Sequence, residues 1–166
     1  MSMKNPAKFA RIKLQSPTLP RFGNRQISDA VYAQLRSKAP SATIRDMVNK
    51  GAPQVGAPDF ALPGMKIEGR LQADHVVSMD RITSMDGFGK LTPEEQLQIL
   101  NYPDNYIGLS ARANASKRDL LYAEWLMHKN SGLTVNPLFT TQMAHMETAL
   151  ARRLQDMIDT MAAKHP

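Results

Sequence analysis

The C-terminal segment carries the most regular pattern in the chain, because its apolar residues recur at spacings of three and four. Asn136 is placed to cap a helix, and Pro137 suits the first helical position. The apolar positions are Phe139, Met143, Met146, Leu150, Leu154, Met157 and Met161. A period near 3.6 residues predicts an amphipathic helix within residues 133–166. Its stripe either packs on its own domain, the commoner case, or contacts a partner helix or a second copy.

Two shorter helices are predicted in an N-terminal extension at residues 27–64. Ser28 can cap the first helix, and either Ser41 or Thr43 can cap the second, which closes at Gly51. The stretch that follows is rich in proline and glycine, which indicates an irregular connection. We expect these helices to pack against the rest of the domain.

Residues 65–132 predict a small hairpin followed by a helix. Residues compatible with β structure lead to the pair Asp74-His75, which we expect at or just past the end of a first strand. Residues 78–90 are polar and contain two glycines, so they predict a long loop. A short second strand is expected at residues 106–109.

Two helices accompany these strands. Residues 92–101 begin with a threonine, a proline and two glutamates, which predicts a capped helix with acids in its first turn. The other helix is expected to begin at Ser110 or Ala111, run to about Asn130 and stop at Gly132. The predicted fold class is therefore α+β and mostly helical, with packing helices at both ends.

The net charge of +6 is concentrated near the N-terminus. Six Lys and Arg residues precede the first acidic residue, Asp29, and the other fifteen balance the fifteen Asp and Glu residues. Residues 1–26 contain three prolines and no sustained apolar period, which predicts an extended arm or linker. Such an arm can bind a polyanion by displacing its counterions, or it is a solvated linker.

Composition excludes several kinds of chemistry. The chain has no cysteine, so disulfides, Cys-ligated zinc and Cys nucleophiles are ruled out, and a metal must be held by oxygen or imidazole. No apolar run approaches the roughly 20 residues that span a bilayer. We therefore expect a soluble chain with no membrane insertion.

Asp74 and His75 are the first candidate reactive residues. Neighbours on an extended segment point to opposite faces, so the two side chains can divide two tasks. Hydrolysis of a phosphodiester needs a base that deprotonates water and a cation that neutralises charge on the phosphate. A histidine suits the first task and a carboxylate ligand the second. An Asp-His pair alone is common and does not define an active site.

Two asparagines downstream narrow this interpretation. Asn105 and Asn114 are nine residues apart, with a leucine and a serine between them and Ser-Lys-Arg soon after. Together with Asp74-His75, this order resembles the HNH (ββα-metal) endonucleases. The spacing and the basic residues that follow it resemble the HNH modules of RNA-guided CRISPR nucleases and the C-terminal nuclease modules of bacterial polymorphic toxins. The resemblance covers about residues 67–130.

The resemblance implies a role for each of these residues. His75 would be the general base, and Asn105 would orient its imidazole through the amide or the backbone carbonyl. Asp74 and Asn114 would ligate the metal. Basic residues of the following helix would contact substrate phosphates; they are Arg112, Lys117 and Arg118.

The ligand types imply one divalent ion. Colicin nucleases place a histidine at the last ligand position, whereas this chain has Asn114, a neutral oxygen donor. Two hard oxygens with open positions favour magnesium or manganese, completed by water and substrate phosphate, and make zinc less suitable.

The function implied is a metal-dependent endonuclease, with DNA favoured over RNA. We favour a secreted bacterial toxin that acts in the target-cell cytoplasm and is held by an immunity protein with acidic residues. Alternatives are a phage or mobile-element nicking enzyme, a module of a larger enzyme, and a non-catalytic nucleic-acid-binding module. A protein-interaction module that uses the stripe at residues 139–161 is a further class. Each site residue also has a structural alternative as a turn, a cap or a half-buried histidine.

Overall fold

A computed structural model describes residues 21–166, so most of the predicted arm at residues 1–26 lies outside the described residues. The described part is α+β and mostly helical, which confirms the predicted class. Its elements are α1 (Asp29–Lys38), α2 (Ala42–Asn49), β1 (Gln72–His75), α3 (Met79–Thr83), α4 (Pro93–Leu100), β2 (Tyr106–Leu109), α5 (Ala111–Lys117) and α6 (Pro137–Ala162). Short 3₁₀ turns lie at Phe88–Lys90 and Pro103–Asn105. None of these helices is both long and apolar enough to cross a membrane.

Five of the helices begin where side-chain caps were predicted. Each cap accepts a hydrogen bond from a backbone N–H of the first turn. The capping residues are Ser28, Ser41, Thr92, Ser110 and Asn136. At α4, Thr92 and Glu95 form a capping box, because each backbone N–H donates to the other's side chain, at 2.9 and 3.2 Å. The second helix is capped by Ser41 and not by Thr43.

The long helix α6 packs on its own domain, as the commoner of the two alternatives predicted. Phe139, Met143, Leu150 and Leu154 of the predicted stripe are buried. Met146 of the stripe is 39% exposed, whereas the neighbouring Glu147 is buried. A hydropathy pattern could not predict burial of Glu147, because the residue is charged. A contact between the stripe and a partner stays a prediction.

The two strands form an antiparallel pair with the register Gln72↔Leu109 to His75↔Tyr106, which confirms both predicted strands and places Asp74-His75 at the end of β1. The backbone of α2 approaches one face closely. A Cβ on Gly108 would lie 3.0 Å from the carbonyl oxygen of Val48, so this close approach requires glycine. Helix α5 packs against the same hairpin through contacts with the side chains of Gln72 and Asp74.

The helix after β2 is much shorter than predicted. It ends at Lys117, and Arg118 follows with a positive φ of 51°. Residues 118–132 form turns instead of a helix, and they bury Tyr122 and Trp125, each 1% exposed. The indole Nε1 of Trp125 donates to Ser116, 2.9 Å away. The prediction of a helix to about Asn130 is therefore wrong, because burial of two large aromatic side chains overrides the local helical preference.

A second difference lies in the segment predicted as a loop at residues 78–90. It contains the short helix α3, capped by Ser78, and the 3₁₀ turn Phe88–Lys90. Ile82 and Phe88 from these pieces are fully buried in the core. One helical turn is too short to leave a periodic pattern, which is why the sequence did not indicate it.

Candidate functional site

His75 stands at the end of β1, directly opposite Tyr106. Its Nε2 lies 2.9 Å from the carbonyl oxygen of Leu100 and 2.5 Å from the Tyr106 hydroxyl. That hydroxyl donates to the same carbonyl at 2.7 Å. Because a carbonyl oxygen only accepts hydrogen bonds, this geometry favours the tautomer with the proton on Nε2. The other ring nitrogen, Nδ1, is then an acceptor.

The acceptor nitrogen of His75 has no hydrogen-bond partner among residues 21–166, because both contacts of the ring are made by Nε2. Burial of the ring lowers the pKa of His75 below its ordinary value of 6.5, although the Leu100 carbonyl and the charge of Asp74 oppose this shift. The imidazole is therefore neutral at neutral pH and able to accept a proton.

Asp74 makes its contacts through one carboxylate oxygen. Oδ2 accepts a hydrogen bond of 2.7 Å from the Tyr122 hydroxyl and lies 3.3 Å from the Lys117 ammonium. The side chain of Lys117 is only 4% exposed, and that of Asp74 is 15% exposed. No described residue donates a hydrogen bond to Oδ1. The charge pair thus leaves one carboxylate oxygen available.

Asn114 also presents a free oxygen on this side of the hairpin. Its amide Nδ2 donates to Oε1 of Gln72 at 2.7 Å, and no hydrogen bond from residues 21–166 reaches its Oδ1. Gln72 and Asp74 are two residues apart on β1 and therefore share a face. Asn114 therefore contacts a side chain that shares a strand face with Asp74, and its role as a metal ligand stays a prediction.

The side chain of Asn105 does not contact the imidazole of His75, as was predicted, but the backbone of Val77. Its buried side chain accepts a hydrogen bond from the backbone N–H of Val77 at 2.8 Å and donates to the carbonyl of the same residue at 3.0 Å. Its own carbonyl accepts from the N–H of Val76 at 2.8 Å. Asn105 thus fixes the chain just after His75, and the predicted contact with the imidazole is corrected: Leu100 and Tyr106 hold the ring.

The three predicted phosphate contacts occupy different surroundings. Lys117 lies in α5 and is buried against Asp74. Arg118 is exposed and follows the end of α5, so its predicted place within this helix is wrong. Arg112 forms an ion pair with Glu68. Arg112, Arg118 and Lys129 line one cavity of about 390 Å³ beside Lys117. A second cavity, of about 680 Å³, adjoins Asn114 and is lined by two further arginines, Arg45 and Arg70.

Oδ1 of Asp74 and Oδ1 of Asn114 are the candidate donors for a hard divalent cation. In residues 21–166 no group of three or more His, Cys, Asp or Glu side chains is placed to hold a metal, so the chain could supply only a partial ligand set. Asp74 Oδ1 and Asn114 Oδ1 are oxygen donors of the type that magnesium and manganese prefer, with water and substrate completing the set. The ammonium of Lys117 opposes a second positive charge nearby.

Two functional candidates were missed from the sequence. Tyr106 holds His75, and the pairing of the Asp-His end of β1 with the start of β2 could have indicated it. Tyr122 holds Asp74, but it was assigned to a helix that does not extend that far, so the sequence carried no signal for this contact. These contacts leave Nδ1 of His75 and Oδ1 of Asp74 without a hydrogen-bond partner among the described residues, so a base and a cation ligand are chemically feasible there. No family model, no curated protein and no solved structure matches the chain.

Proposed function

We propose that the chain is a metal-dependent endonuclease that hydrolyses phosphodiester bonds of nucleic acid, with DNA favoured over RNA. The observation that carries the proposal is the state of His75: a neutral imidazole with Nε2 bound to the Leu100 carbonyl and Nδ1 without a hydrogen-bond partner among residues 21–166. It stands next to Asp74, whose Oδ1 likewise receives no hydrogen bond from those residues. A general base beside a carboxylate ligand is the pair that phosphodiester hydrolysis requires.

His75 acts as the base in this proposal. Its Nδ1 takes a proton from the attacking water, and the Leu100 carbonyl then stabilises the imidazolium through the Nε2 proton. Tyr106 keeps its hydroxyl proton because burial and the charge of Asp74 raise its pKa. The hydroxyl therefore remains a donor and holds the ring and the carbonyl in place.

Asp74 and Asn114 would hold the cation. A divalent ion bound there supplies charge neutralisation on the phosphate, and the oxygen donors favour magnesium or manganese over zinc. The phosphates that flank the scissile bond would be bound by three side chains that line one cavity: Arg112, Arg118 and Lys129. The basic arm at residues 1–26 would add sequence-independent affinity for a polyanion.

The biological setting that we favour is an antibacterial toxin. The support is the resemblance of the segment around Asp74, His75, Asn105 and Asn114 to polymorphic-toxin nuclease modules. In that setting the chain is secreted, acts inside a target cell, and is neutralised by an immunity protein that presents acidic residues. A phage or mobile-element nicking enzyme is the alternative setting with the same chemistry.

One observation favours a second candidate, a nucleic-acid-binding module without catalysis. The Lys117 ammonium lies 3.3 Å from Asp74, so the carboxylate already has a positive partner within the protein. A module that only binds nucleic acid needs no cation at Asp74 and no open base at His75. Binding without cleavage by the wild-type chain would support this candidate.

The deciding experiment incubates the purified chain with plasmid DNA and with RNA, in magnesium, in manganese and in chelator. His75→Ala is expected to lower the cleavage rate by about 10²-fold or more, because a positioned base contributes that much. Nucleic-acid binding in chelator should hardly change. His145→Ala is the matched control, since His145 lies exposed on α6. Wild-type cleavage by a folded His75→Ala protein would contradict the mechanism.

A further inference from the structure

Tyr122 reaches the candidate site from the irregular segment that follows α5. Its hydroxyl donates to Asp74 Oδ2 at 2.7 Å, although the two residues are 48 positions apart in the chain. The ring is 1% exposed and meets Phe139 of α6 edge to face, with centroids 5.9 Å apart. Packing against α6 therefore fixes the direction of this hydroxyl.

Lys117 contacts the same carboxylate oxygen. Its ammonium lies 3.3 Å from Oδ2 of Asp74 and 4.5 Å from the centre of the Tyr122 ring. Burial and the charge of Asp74 raise the pKa of Tyr122, so its hydroxyl keeps its proton and remains a donor. Two positive or partly positive groups thus meet at Oδ2, while Oδ1 accepts nothing from the described part of the chain.

We propose that Tyr122 is a positioning residue: by holding Oδ2 it turns the Asp74 carboxylate so that Oδ1 is the oxygen presented to a divalent cation. This inference rests on the proposed function insofar as it takes Asp74 as a cation ligand. Carboxylates that bind metals are commonly oriented by hydrogen bonds from neighbouring side chains. Here that orientation comes from a residue outside both the hairpin and α5.

The consequence of losing the hydroxyl follows from the remaining partner. Without Tyr122 Oη, only Lys117 holds Asp74, and the carboxylate can rotate so that both of its oxygens face the ammonium. A cation would then have to break the closer ion pair between the Asp74 carboxylate and the Lys117 ammonium before it could bind. A purely structural role for the hydroxyl, which also needs a partner because it is buried, predicts a change in stability and none in cation affinity.

The test measures Mn²⁺ binding to the full chain without nucleic acid, by calorimetry or by the electron paramagnetic resonance of free Mn²⁺. Tyr122→Phe is expected to weaken Mn²⁺ binding about 10-fold or more. Tyr102→Phe is the matched control, because it removes a tyrosine-to-aspartate hydrogen bond of 3.1 Å to Asp104 on the surface. Its Mn²⁺ affinity should equal that of the wild type.

A second variant should act in the opposite direction. Lys117→Met keeps most of the buried stem and removes the charge that repels the cation, so Mn²⁺ binding should tighten by about 10-fold. Opposite changes in the two variants, with circular dichroism unchanged, cannot arise from general loosening of the fold. Weaker binding in both would indicate loosening and would overturn the inference.

A measurement on the unsubstituted chain covers the case in which Tyr122→Phe does not fold. The protein is labelled with fluorotyrosine, which reports on its four tyrosines, and is titrated with Mg²⁺. The ¹⁹F resonance of Tyr122 should move with the midpoint of cation binding, whereas that of Tyr102 should stay. A Tyr122 resonance that does not respond, or equal Mn²⁺ affinity of Tyr122→Phe and wild type, would overturn the inference.

The cleavage assay separates this inference from the proposed function. If the wild type cleaves in Mn²⁺ and Tyr122→Phe binds Mn²⁺ as tightly as the wild type, the inference about Tyr122 is wrong and the proposed nuclease function stands. If the wild type neither binds Mn²⁺ nor cleaves nucleic acid, both the inference and the proposed function are wrong.

Discussion

His75 and Asp74, side by side at the end of β1, have opposite electrostatic surroundings. On one side His75 is neutral, and its partners are an uncharged carbonyl and a tyrosine hydroxyl. On the other side Asp74 carries a charge that a buried ammonium balances. In the proposed mechanism the neutral side accepts a proton without rearrangement, whereas the charged side has to share the Asp74 carboxylate between Lys117 and a bound cation. The proposal therefore predicts that substitutions on the charged side change cation affinity and that substitutions on the neutral side change the rate.

The largest expected effect is on stability and concerns the charged side. Asp74→Ala leaves the buried Lys117 ammonium unpaired and the Tyr122 hydroxyl without a partner, so the free energy of unfolding should fall by on the order of 3 kcal/mol. His75→Ala should cost only about 1 kcal/mol, because the Leu100 carbonyl keeps its hydrogen bond from Tyr106. Urea unfolding at neutral pH measures both values.

A double variant checks the cause of this difference. Replacing both members of the pair, in Asp74→Ala with Lys117→Met, removes the unpaired charge and should recover part of the lost stability. Equal destabilisation by Asp74→Ala and His75→Ala would show that the two sides do not differ in the way described.

The next effect concerns the neutral side. Tyr106→Phe removes the hydroxyl that lies 2.5 Å from Nε2 of His75, and the imidazole is then held by the Leu100 carbonyl alone. We expect about a 10-fold loss in kcat, since the base loses part of its orientation, with an unchanged Mn²⁺ affinity. Tyr122→Phe should show the reverse pattern. Steady-state cleavage at varied Mn²⁺ concentration separates an effect on kcat from an effect on Mn²⁺ affinity. An altered Mn²⁺ affinity in Tyr106→Phe would show that His75 and Asp74 do not act independently.

The elements that the sequence predicted are those set by local signals. Side-chain caps, a proline at the first helical position and short β-compatible runs located α1, α2, α4, α6 and both strands. The missed elements depend on distant contacts: α5 stops at Lys117 because the following residues bury Tyr122 and Trp125 in the core. No glycine or proline marks that stop.

The candidate site also has one part that local sequence signals predict and one part that depends on distant contacts. The position of Asp74-His75 at a strand end follows from the local pattern, but the groups that hold these side chains come from α4, β2, α5 and the segment after α5. Asn105 shows the limit most clearly. The resemblance implied a contact with the imidazole, yet a buried amide needs both an acceptor and a donor, and the backbone of Val77 supplies both.

The smallest expected effect is a pH dependence that links the two sides. Burial lowers the pKa of His75 below 6.5, the charge of Lys117 lowers it further, and the Leu100 carbonyl and Asp74 raise it. The base form of the folded protein therefore persists below pH 6.5, and the acid limb of the cleavage rate at saturating Mg²⁺ should lie below that value. In the same range the unfolded chain binds a proton that the folded chain does not, so the free energy of unfolding should fall as the pH drops below about 6.5. Lys117→Met removes a lowering charge and should move the acid limb upward, and His145→Ala should leave it in place. A limb at or above 6.5 in the wild type would mean that His75 is not the buried neutral base.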